Sequence, residues 1–227
     1  AWMNERTNTP FKRLFFGLAM VPLIIPGILF TISWIMLASP KIGIFNLLLQ
    51  RWLGTDAVFF NVYSMWGMIW VDGLHYSPMA FLLMTAAFRS MSGANLWQVV
   101  RRITLALSWP AIFATLLILF VRAIESFEVP ALLGMPAGIF VFTSAIFEAI
   151  HRYPSQIGLA SAYGVTLLLL TSVGVWFQSR LSASGSRYST VTGKGFRPRR
   201  IDLGRWRYVT AAIFIVYFLL IVASPLL

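Results

Sequence analysis

The sequence LFFGLAMVPLIIPGILFTISWIML, residues 14–37, contains no charged side chain from beginning to end. A helix needs about 20 apolar residues to cross the hydrocarbon core of a bilayer, so this stretch predicts a membrane-spanning helix. Four further apolar runs follow it, and the first of these four is interrupted by Asp72 and His75. The four runs cover about residues 62–88, 103–121, 157–177 and 206–227.

The composition excludes a soluble protein of this size. Of the 227 residues, 59% are hydrophobic and 11% are charged, whereas soluble domains average about 45–50% apolar and about 25% charged residues. The mean hydropathy is +0.79. Because a small soluble domain leaves a large share of its residues in water, we predict an all-α, multi-spanning helical membrane protein.

The cysteine and histidine counts and the net charge exclude several further classes of protein and site. The chain has no cysteine, which excludes disulfides and thiolate metal sites. Its two histidines, His75 and His151, are too few and too far apart in sequence to indicate a metal cluster, so we predict no cofactor. A net charge of +11 would indicate nucleic-acid binding in a soluble protein, but in a membrane protein arginines mark the cytoplasmic side. Nucleic acid is therefore not an expected partner.

Basic residues are distributed unevenly between the two sides of the predicted bundle. If the N-terminus is cytoplasmic, 14 of the 18 basic residues fall in cytoplasmic segments. The other four, Lys41, Arg51, Arg122 and Arg152, fall outside. This asymmetry follows the positive-inside rule and supports the count of spans.

Residues 129–150 form a further apolar stretch that prolines and glycines interrupt. We predict a re-entrant or interfacial segment and a short helix there, because a full crossing would place the basic segment 179–206 outside. That segment is rich in Ser, Gly, Arg and Pro and predicts a solvated cytoplasmic linker. Residues 1–178 then form most of a first membrane unit and residues 207–227 the first span of a second, and we expect the chain to be part of a longer protein.

Residues 91–110, MSGANLWQVVRRITLALSWP, form a basic amphipathic segment between the second and third predicted spans. Its apolar residues recur at helical spacing. Two interpretations are open. The segment is a helix that rests on lipid headgroups with its arginines on phosphate, or a helix that docks in the groove of a partner protein.

The same segment resembles the cytoplasmic coupling loop of the membrane subunits of binding-protein-dependent ABC importers. The matching positions are Gly93, Ala94, Trp97, Gln98, Arg101, Arg102, Ile103, Thr104, Leu105 and Pro110. In that family the loop, here near residues 89–104, forms a helix that seats in a cleft of the ATPase subunit. The resemblance therefore implies ATPase-coupling roles for Ser92, Gly93, Ala94, Trp97, Gln98, Arg101, Arg102 and Thr104.

The chain departs from the family pattern at two places in this loop. The Glu-Ala-Ala portion is absent, because Phe88 is followed after three residues by Ser92 and Gly93. The family's Leu-Pro is replaced by Leu105-Ala106, which removes a kink-forming proline. The first departure shortens the implied coupling helix and puts its acidic contact with the ATPase in doubt.

Residues 37–46, 122–150 and 187–207 resemble the ferric-iron branch of these importers, whose permeases contain two fused halves. The resemblance implies an ABC importer type I permease bundle, multi-pass in a bacterial inner membrane. It implies import of ferric iron by alternating access. The implied partners are a periplasmic substrate-binding protein, an ATPase dimer, the lipid bilayer, and a missing second permease half or a second permease subunit.

Other functions remain open at this point. Because the chain contains no Walker-type sequence, we expect ATP hydrolysis on a separate subunit and no enzymatic activity in this chain. The alternatives in the same class are thiamine, phosphonate, polyamine and sulfate import. A different class is a secondary transporter or channel that needs no ATPase.

Four ionisable residues in or beside the apolar runs are candidates for the substrate path: Asp72, His75, Glu125 and Glu128. Acids near a membrane are costly and often mark a path, and carboxylates suit a hard cation. Asp72 and His75, three residues apart, line a polar cavity or hydrogen-bond to each other. Glu125 and Glu128 have the same spacing and are predicted to share a helix face. Alternatively, both are hydrated at the outer interface or pair with Arg122.

Three minor predictions concern other polar, small and aromatic residues. Glu148 and His151 are predicted to form an acid–imidazole pair near the outer surface. Gly27 and other glycines in the apolar runs are predicted to allow close helix packing. Tyr76, with tryptophans near the span ends, is predicted to lie in an interfacial belt or, alternatively, to pack in the core.

Overall fold

The computed structural model describes residues 1–90, 104–186 and 203–223 of the chain. These residues are 78% helical and contain no strand, which confirms the predicted all-α class. The α-helices are α1 (Trp2–Arg6), α2 (Lys12–Leu18), α3 (Gly27–Ala38), α4 (Ile44–Leu53), α5 (Met65–Ser90), α6 (Thr104–Glu125), α7 (Phe142–His151), α8 (Ile157–Ser186) and α9 (Arg207–Phe218). Short 3₁₀ turns (Val21–Leu23, Met135–Ala137, Gly204–Trp206) and π turns (Pro130–Gly134, Leu219–Ala223) join or extend them.

The first predicted span is divided into two helical pieces. The piece Lys12–Leu23 and the piece Gly27–Ala38 meet at an angle of 99°. Pro22 lies in the 3₁₀ turn that ends the first piece, and Pro26 is the residue before the first turn of α3. Proline lacks the backbone N–H that a continuing helix needs and disfavours helical geometry in the preceding residue. Residues 14–37 are helical over most of their length, as predicted, but they form two pieces at an angle and not one straight helix.

Two helical segments of the described chain are long and apolar enough to cross a membrane, namely Ile157–Arg180 and Gly204–Ile221. Only 11% and 22% of the residues in these stretches are buried within the chain, so most of their apolar side chains face outward, as lipid contact requires. Two bent helix pairs would raise the number of spans to four. The described residues are therefore consistent with a membrane protein.

The other predicted spans correspond to long helices. Helix α5 covers most of residues 62–88 and contains a buried proline, Pro78. Helix α6 covers residues 104–121 and extends to Glu125. Both helices have the length that a crossing needs, and their crossing stays a prediction.

Residues 129–150 are bent, as the prolines and glycines suggest. The π and 3₁₀ turns over Pro130–Ala137 meet α7 at 72°. Gly138 lies between these turns and α7 and has a positive φ of 71°, a conformation that glycine adopts without steric cost. This geometry fits a re-entrant segment or a broken span, so the re-entrant interpretation stays a prediction.

The predicted linker begins later than residue 179, because α8 continues to Ser186. Residues 179–186 contain no proline, and nothing in their backbone chemistry stops the helix. Residues 187–202 of the linker lie outside the described part of the chain. The predicted span at 207–227 corresponds to α9 and the π turn Leu219–Ala223.

The described residues divide into two compact units. Unit one contains Ala1–Met20, Ser77–Val121 and Ser172–Phe218, and its core includes Phe15 stacked on Phe214 with ring centroids 5.0 Å apart. The Thr9 and Thr210 hydroxyls hydrogen-bond at 2.9 Å, and the Leu203 amide donates to Asn8 Oδ1 at 3.1 Å. The N-terminal segment is thereby tied to the beginning of α9.

Unit two contains Val21–Tyr76, Arg122–Thr171 and the residues from Leu219 onward. Helix α3 packs against α4 and against the turn Pro130–Gly134. Trp34 of α3 is buried and meets the rings of Trp70 and Phe45 edge-on, at 5.9 and 6.5 Å. This packing fixes α3, and with it Gly27, beside the N-terminal half of α5.

Candidate functional site

Asp72 and Ser126 form the centre of a group of polar side chains in unit two. Ser126 Oγ donates to Asp72 Oδ1 at 3.1 Å. Asp72 is half-buried and Ser126 is buried. The group also contains His75, Tyr76 and Glu128, and we call these five residues the polar cluster. A carboxylate that is partly removed from water needs hydrogen-bond donors, and the Ser126 hydroxyl is one.

Glu128 reaches the cluster through a notch at Gly27. A Cβ atom added to Gly27 would overlap Glu128 Oε2 and lie 3.1 Å from His75 Nε2. The glycine therefore leaves the space that the Glu128 carboxylate fills beside the imidazole. Glu128 also acts electrostatically on both Asp72 and His75.

His75 lies between apolar rings and acids. Its ring is 5.4 Å from Phe30 and 5.3 Å from Tyr76, centroid to centroid. Within the described part of the chain, its buried Nδ1 atom has no hydrogen-bond partner. No hydrogen bond joins it to Asp72 among these residues, so the predicted direct Asp72–His75 pair is not present there. Each of the two residues instead faces a group from the chain around Ser126–Glu128.

Sequence reasoning missed two members of the cluster. Ser126 is a common residue with no local signal, and it reaches Asp72 only through the tertiary fold. Tyr76 was predicted to lie in an interfacial belt or to pack in the core, without a role in the cluster. It is half-buried, and its phenol lies within interacting range of Ser126, Asp72, Glu128 and Arg122. Its position directly after His75 was the one available hint.

Gly27 also has a different role from the predicted one. It was predicted to permit helix packing, yet the atoms nearest to its missing side chain belong to Glu128 and His75. Gly164 and Gly158 have open space where a side chain would be. Gly174 does lie against a neighbouring side chain, since an added Cβ would be 2.8 Å from Val121 Cγ2. Of the glycines named here, Gly174 is the one that fits the packing interpretation.

Glu125 does not join the cluster. Helix α6 ends at Glu125, residues 126–127 are not helical, and a new helical segment begins at Glu128. The predicted shared helix face of Glu125 and Glu128 is therefore wrong. Glu125 is exposed and pairs with Arg122 at 3.9 Å, which is the alternative that the sequence left open for it.

The predicted Glu148–His151 pair is also replaced by other contacts. Glu148 pairs with Arg152 at 3.9 Å. His151 stacks on Phe147 with a centroid distance of 4.0 Å, and its Nδ1 lies 2.9 Å from the Phe147 carbonyl oxygen. Both ionisable groups are engaged outside the polar cluster.

The predicted ATPase-coupling residues fall almost entirely outside the described part of the chain. Thr104 is the first residue of α6. The others, Ser92, Gly93, Ala94, Trp97, Gln98, Arg101 and Arg102, lie within residues 91–103, which the structure does not describe. Their role remains what the sequence resemblance implies.

The polar cluster is suited to transient contact with a polar or cationic solute. It offers two carboxylates, an imidazole, a phenol and a hydroxyl in a helical unit that is otherwise largely apolar. Among the described residues, no three acidic or histidine side chains are arranged to hold a metal ion.

Comparisons of the chain with family models, curated proteins and solved structures gave no match.

Proposed function

We propose that the chain is a permease subunit of a membrane transporter and that the polar cluster lies on the path of its substrate. The observation that carries this proposal is the Asp72–Ser126 hydrogen bond beside Glu128 and His75. Ionisable groups in membrane-protein helices are expensive, and they mark substrate or ion pathways more often than they serve packing. Helix interruptions before Gly27 and at residues 126–127 support it, since interrupted helices accompany binding sites in transporters.

The ATP-driven part of the proposal rests on the sequence. Residues 91–110 resemble the coupling loop of binding-protein-dependent ABC importers, and residues 37–46, 122–150 and 187–207 resemble the ferric-iron branch. We infer a permease that receives substrate from a periplasmic binding protein and moves it to the cytoplasm by alternating access. A separate ATPase dimer supplies the energy.

The charge of the cluster favours a cationic substrate. Asp72 and Glu128 both act on Tyr76, and Glu128 also acts on His75. Arg122 acts on Tyr76 as well, but its guanidinium pairs with Glu125 outside the cluster. Carboxylates attract hard cations such as ferric iron and repel anions. Ferric iron is therefore our first choice, thiamine and polyamines are second, and sulfate and phosphonate are disfavoured.

A second function, ATPase-independent transport, is favoured by the same cluster. A secondary transporter uses acids and histidine inside its helices to exchange protons or ions, and Asp72, His75 and Glu128 provide these groups. The two functions differ in their need for ATP, and that difference decides between them.

Radiolabelled ferric iron uptake tests the proposal. Membrane vesicles from cells that express the full protein are compared with vesicles from a deletion strain, with ATP or with a non-hydrolysable analogue. We expect uptake that requires both the protein and ATP. Thiamine and a polyamine are tested in the same way.

The variants Asp72→Asn and Glu148→Gln provide the internal comparison. Asp72→Asn removes a charge from the cluster, and we expect uptake to fall, whereas Glu148 pairs with Arg152 elsewhere and its variant should transport normally. Equal uptake with and without ATP would establish the secondary-transport alternative. Equal uptake of all probes by parent and deletion vesicles would refute both functions.

A further inference from the structure

We propose that the Glu128 side chain is a latch that closes the polar cluster, and that it leaves the notch at Gly27 when a solute enters. This inference rests on the proposed transport function and assigns a gate residue to the same site. It concerns one movable side chain, Glu128, and the residue against which it closes, Gly27.

The notch is shaped by the absence of a side chain at the first residue of α3. A methyl group built on Gly27 would overlap Glu128 Oε2, lie 3.0 Å from Glu128 Cδ and lie 3.1 Å from His75 Nε2. These three nearest atoms all belong to side chains, and none belongs to the backbone. The carboxylate of Glu128 therefore fills a space that any larger residue at position 27 would occupy.

The N-terminus of α3 favours the closed position. The first turn of α3 has no side-chain cap, so its backbone N–H groups carry the partial positive charge of a helix N-terminus. The Glu128 carboxylate lies at this end of the helix and beside the His75 imidazole. The helix end favours a negative charge in the notch, which explains why a residue that is exposed overall turns its carboxylate inward.

The Glu128 side chain can change its rotamer without the movement of a helix. It begins a new helical segment after the non-helical residues 126–127. The residue is exposed, whereas its neighbour Ser126 is only 7% exposed. Rotation about the side-chain bonds of Glu128 moves the carboxylate between rotamers, out of the notch and into the surroundings.

The latch joins the two interrupted segments of unit two. Gly27 follows the bend between the pieces Lys12–Leu23 and Gly27–Ala38, and Glu128 follows the interruption of the helix at residues 126–127. In transporters with interrupted helices, the site lies where such breaks meet. Opening of the latch would remove a contact between the two breaks and leave Asp72, His75 and Ser126 accessible from the Gly27 side.

Cysteine labelling measures this opening without measuring transport. The chain has no cysteine, so Ser126→Cys introduces its one thiol inside the cluster, and any cysteine elsewhere in the full protein is first replaced by serine. Its reaction rate with a water-soluble maleimide reports how often water reaches the cluster. A closed state that opens only a minor fraction of the time, about 10%, predicts an increase of about tenfold when the latch is removed.

Two variants open the latch in different ways. Gly27→Ala fills the notch and displaces the flexible end of the Glu128 side chain, and Glu128→Ala removes that carboxylate side chain beyond Cβ. Each is expected to speed labelling of Cys at position 126 about tenfold. The matched controls are Gly164→Ala, at a glycine with open space around it, and Glu125→Ala, at the neighbouring acid that pairs with Arg122.

The outcomes separate the latch from the transport function. Faster labelling in both latch variants with unchanged controls supports the latch, whether or not vesicles take up iron. Unchanged labelling in Glu128→Ala overturns it, even where the protein transports iron. If Gly27→Ala does not fold, the labelling rate of Glu128→Ala decides whether the latch exists.

Discussion

The side chain of Asn46 pairs with both backbone groups of Phe60. Asn46 Oδ1 accepts the Phe60 amide at 2.9 Å, and Asn46 Nδ2 donates to the Phe60 carbonyl oxygen at 2.7 Å. The same side chain also accepts the Phe59 amide and donates to the Ser39 carbonyl oxygen, both at 2.9 Å. Asn46 is 1% exposed, so a buried amide holds the loop after α4 in place.

Replacement of Asn46 by alanine should therefore destabilise the protein strongly. The variant loses four hydrogen bonds, each of which contributes about 0.5–1.5 kcal/mol net, so we expect a loss of about 3 kcal/mol in the free energy of unfolding. Titration with sodium dodecyl sulfate from a mild detergent measures it. Asn61→Ala, at an exposed asparagine whose oxygen accepts one amide, is the control and should change stability by less than about 1 kcal/mol. Equal effects of the two variants would contradict this account of Asn46.

A double-mutant cycle should reveal the coupling between Asp72 and Ser126. Asp72→Ala and Ser126→Ala each remove one side of the 3.1 Å hydrogen bond. Residues in direct contact show interaction energies of about 0.5–3 kcal/mol, and we expect the upper half of that range, since one partner is a carboxylate. The same denaturant titration gives the four stabilities. Additive effects would show that the bond contributes nothing beyond local packing.

The first apolar run shows how far sequence predicts this fold. The uncharged stretch 14–37 predicted a helix within a membrane, because the length of an apolar run can be read directly from the sequence. Its break is encoded by Pro22 and Pro26, which are visible in the sequence, but their effect on direction depends on the packing of α3 against α4. The existence of the elements was thus predictable, and the angle between them was not.

The residues of the candidate site likewise fall into those that the sequence identified and those that only the fold reveals. Asp72 and His75 were identifiable because ionisable residues in an apolar run are rare. The roles of Ser126 and Gly27 depend on residues about 50 to 100 positions away, and no periodicity in the sequence links them. Glu125 was misplaced because i, i+3 spacing implies a shared face only within a continuous helix, and α6 ends there.

The coupling segment yields a prediction about binding. Gly93→Asp places an acid in the segment that resembles the ATPase-docking loop, and Arg101→Glu with Arg102→Glu reverses its charge. We expect either change to abolish co-purification with an ATPase subunit, because buried or close charge pairs at an interface cost about 2–5 kcal/mol when one partner is lost. Arg51→Glu, on the predicted outer side, is the control. Unchanged association of all variants would remove the basis for an ATP-driven mechanism.

The predicted topology is testable at the two sides of α8. Tyr153 is 99% exposed ahead of this helix, and Ser189 belongs to the basic linker after it. In intact cells or sealed right-side-out vesicles, a membrane-impermeant thiol reagent should label Tyr153→Cys and spare Ser189→Cys until the membrane is opened. The physical reason is the excess of arginine in the linker. Labelling of both positions from outside would mean that α8 does not cross.

The hydroxyl contact between Thr9 and Thr210 joins residues 201 positions apart in the chain. During synthesis, the segment around Thr9 emerges long before its partner exists, and at about 5–20 residues per second it waits on the order of ten seconds or more. Within the N-terminal segment itself, the described partners of the Thr7 and Thr9 hydroxyls are each other, the Met3 carbonyl oxygen and the Thr9 amide. Assembly of unit one is therefore a late event in biogenesis, and a ribosome stalled before residue 210 would hold a nascent chain whose first residues are still open to protease.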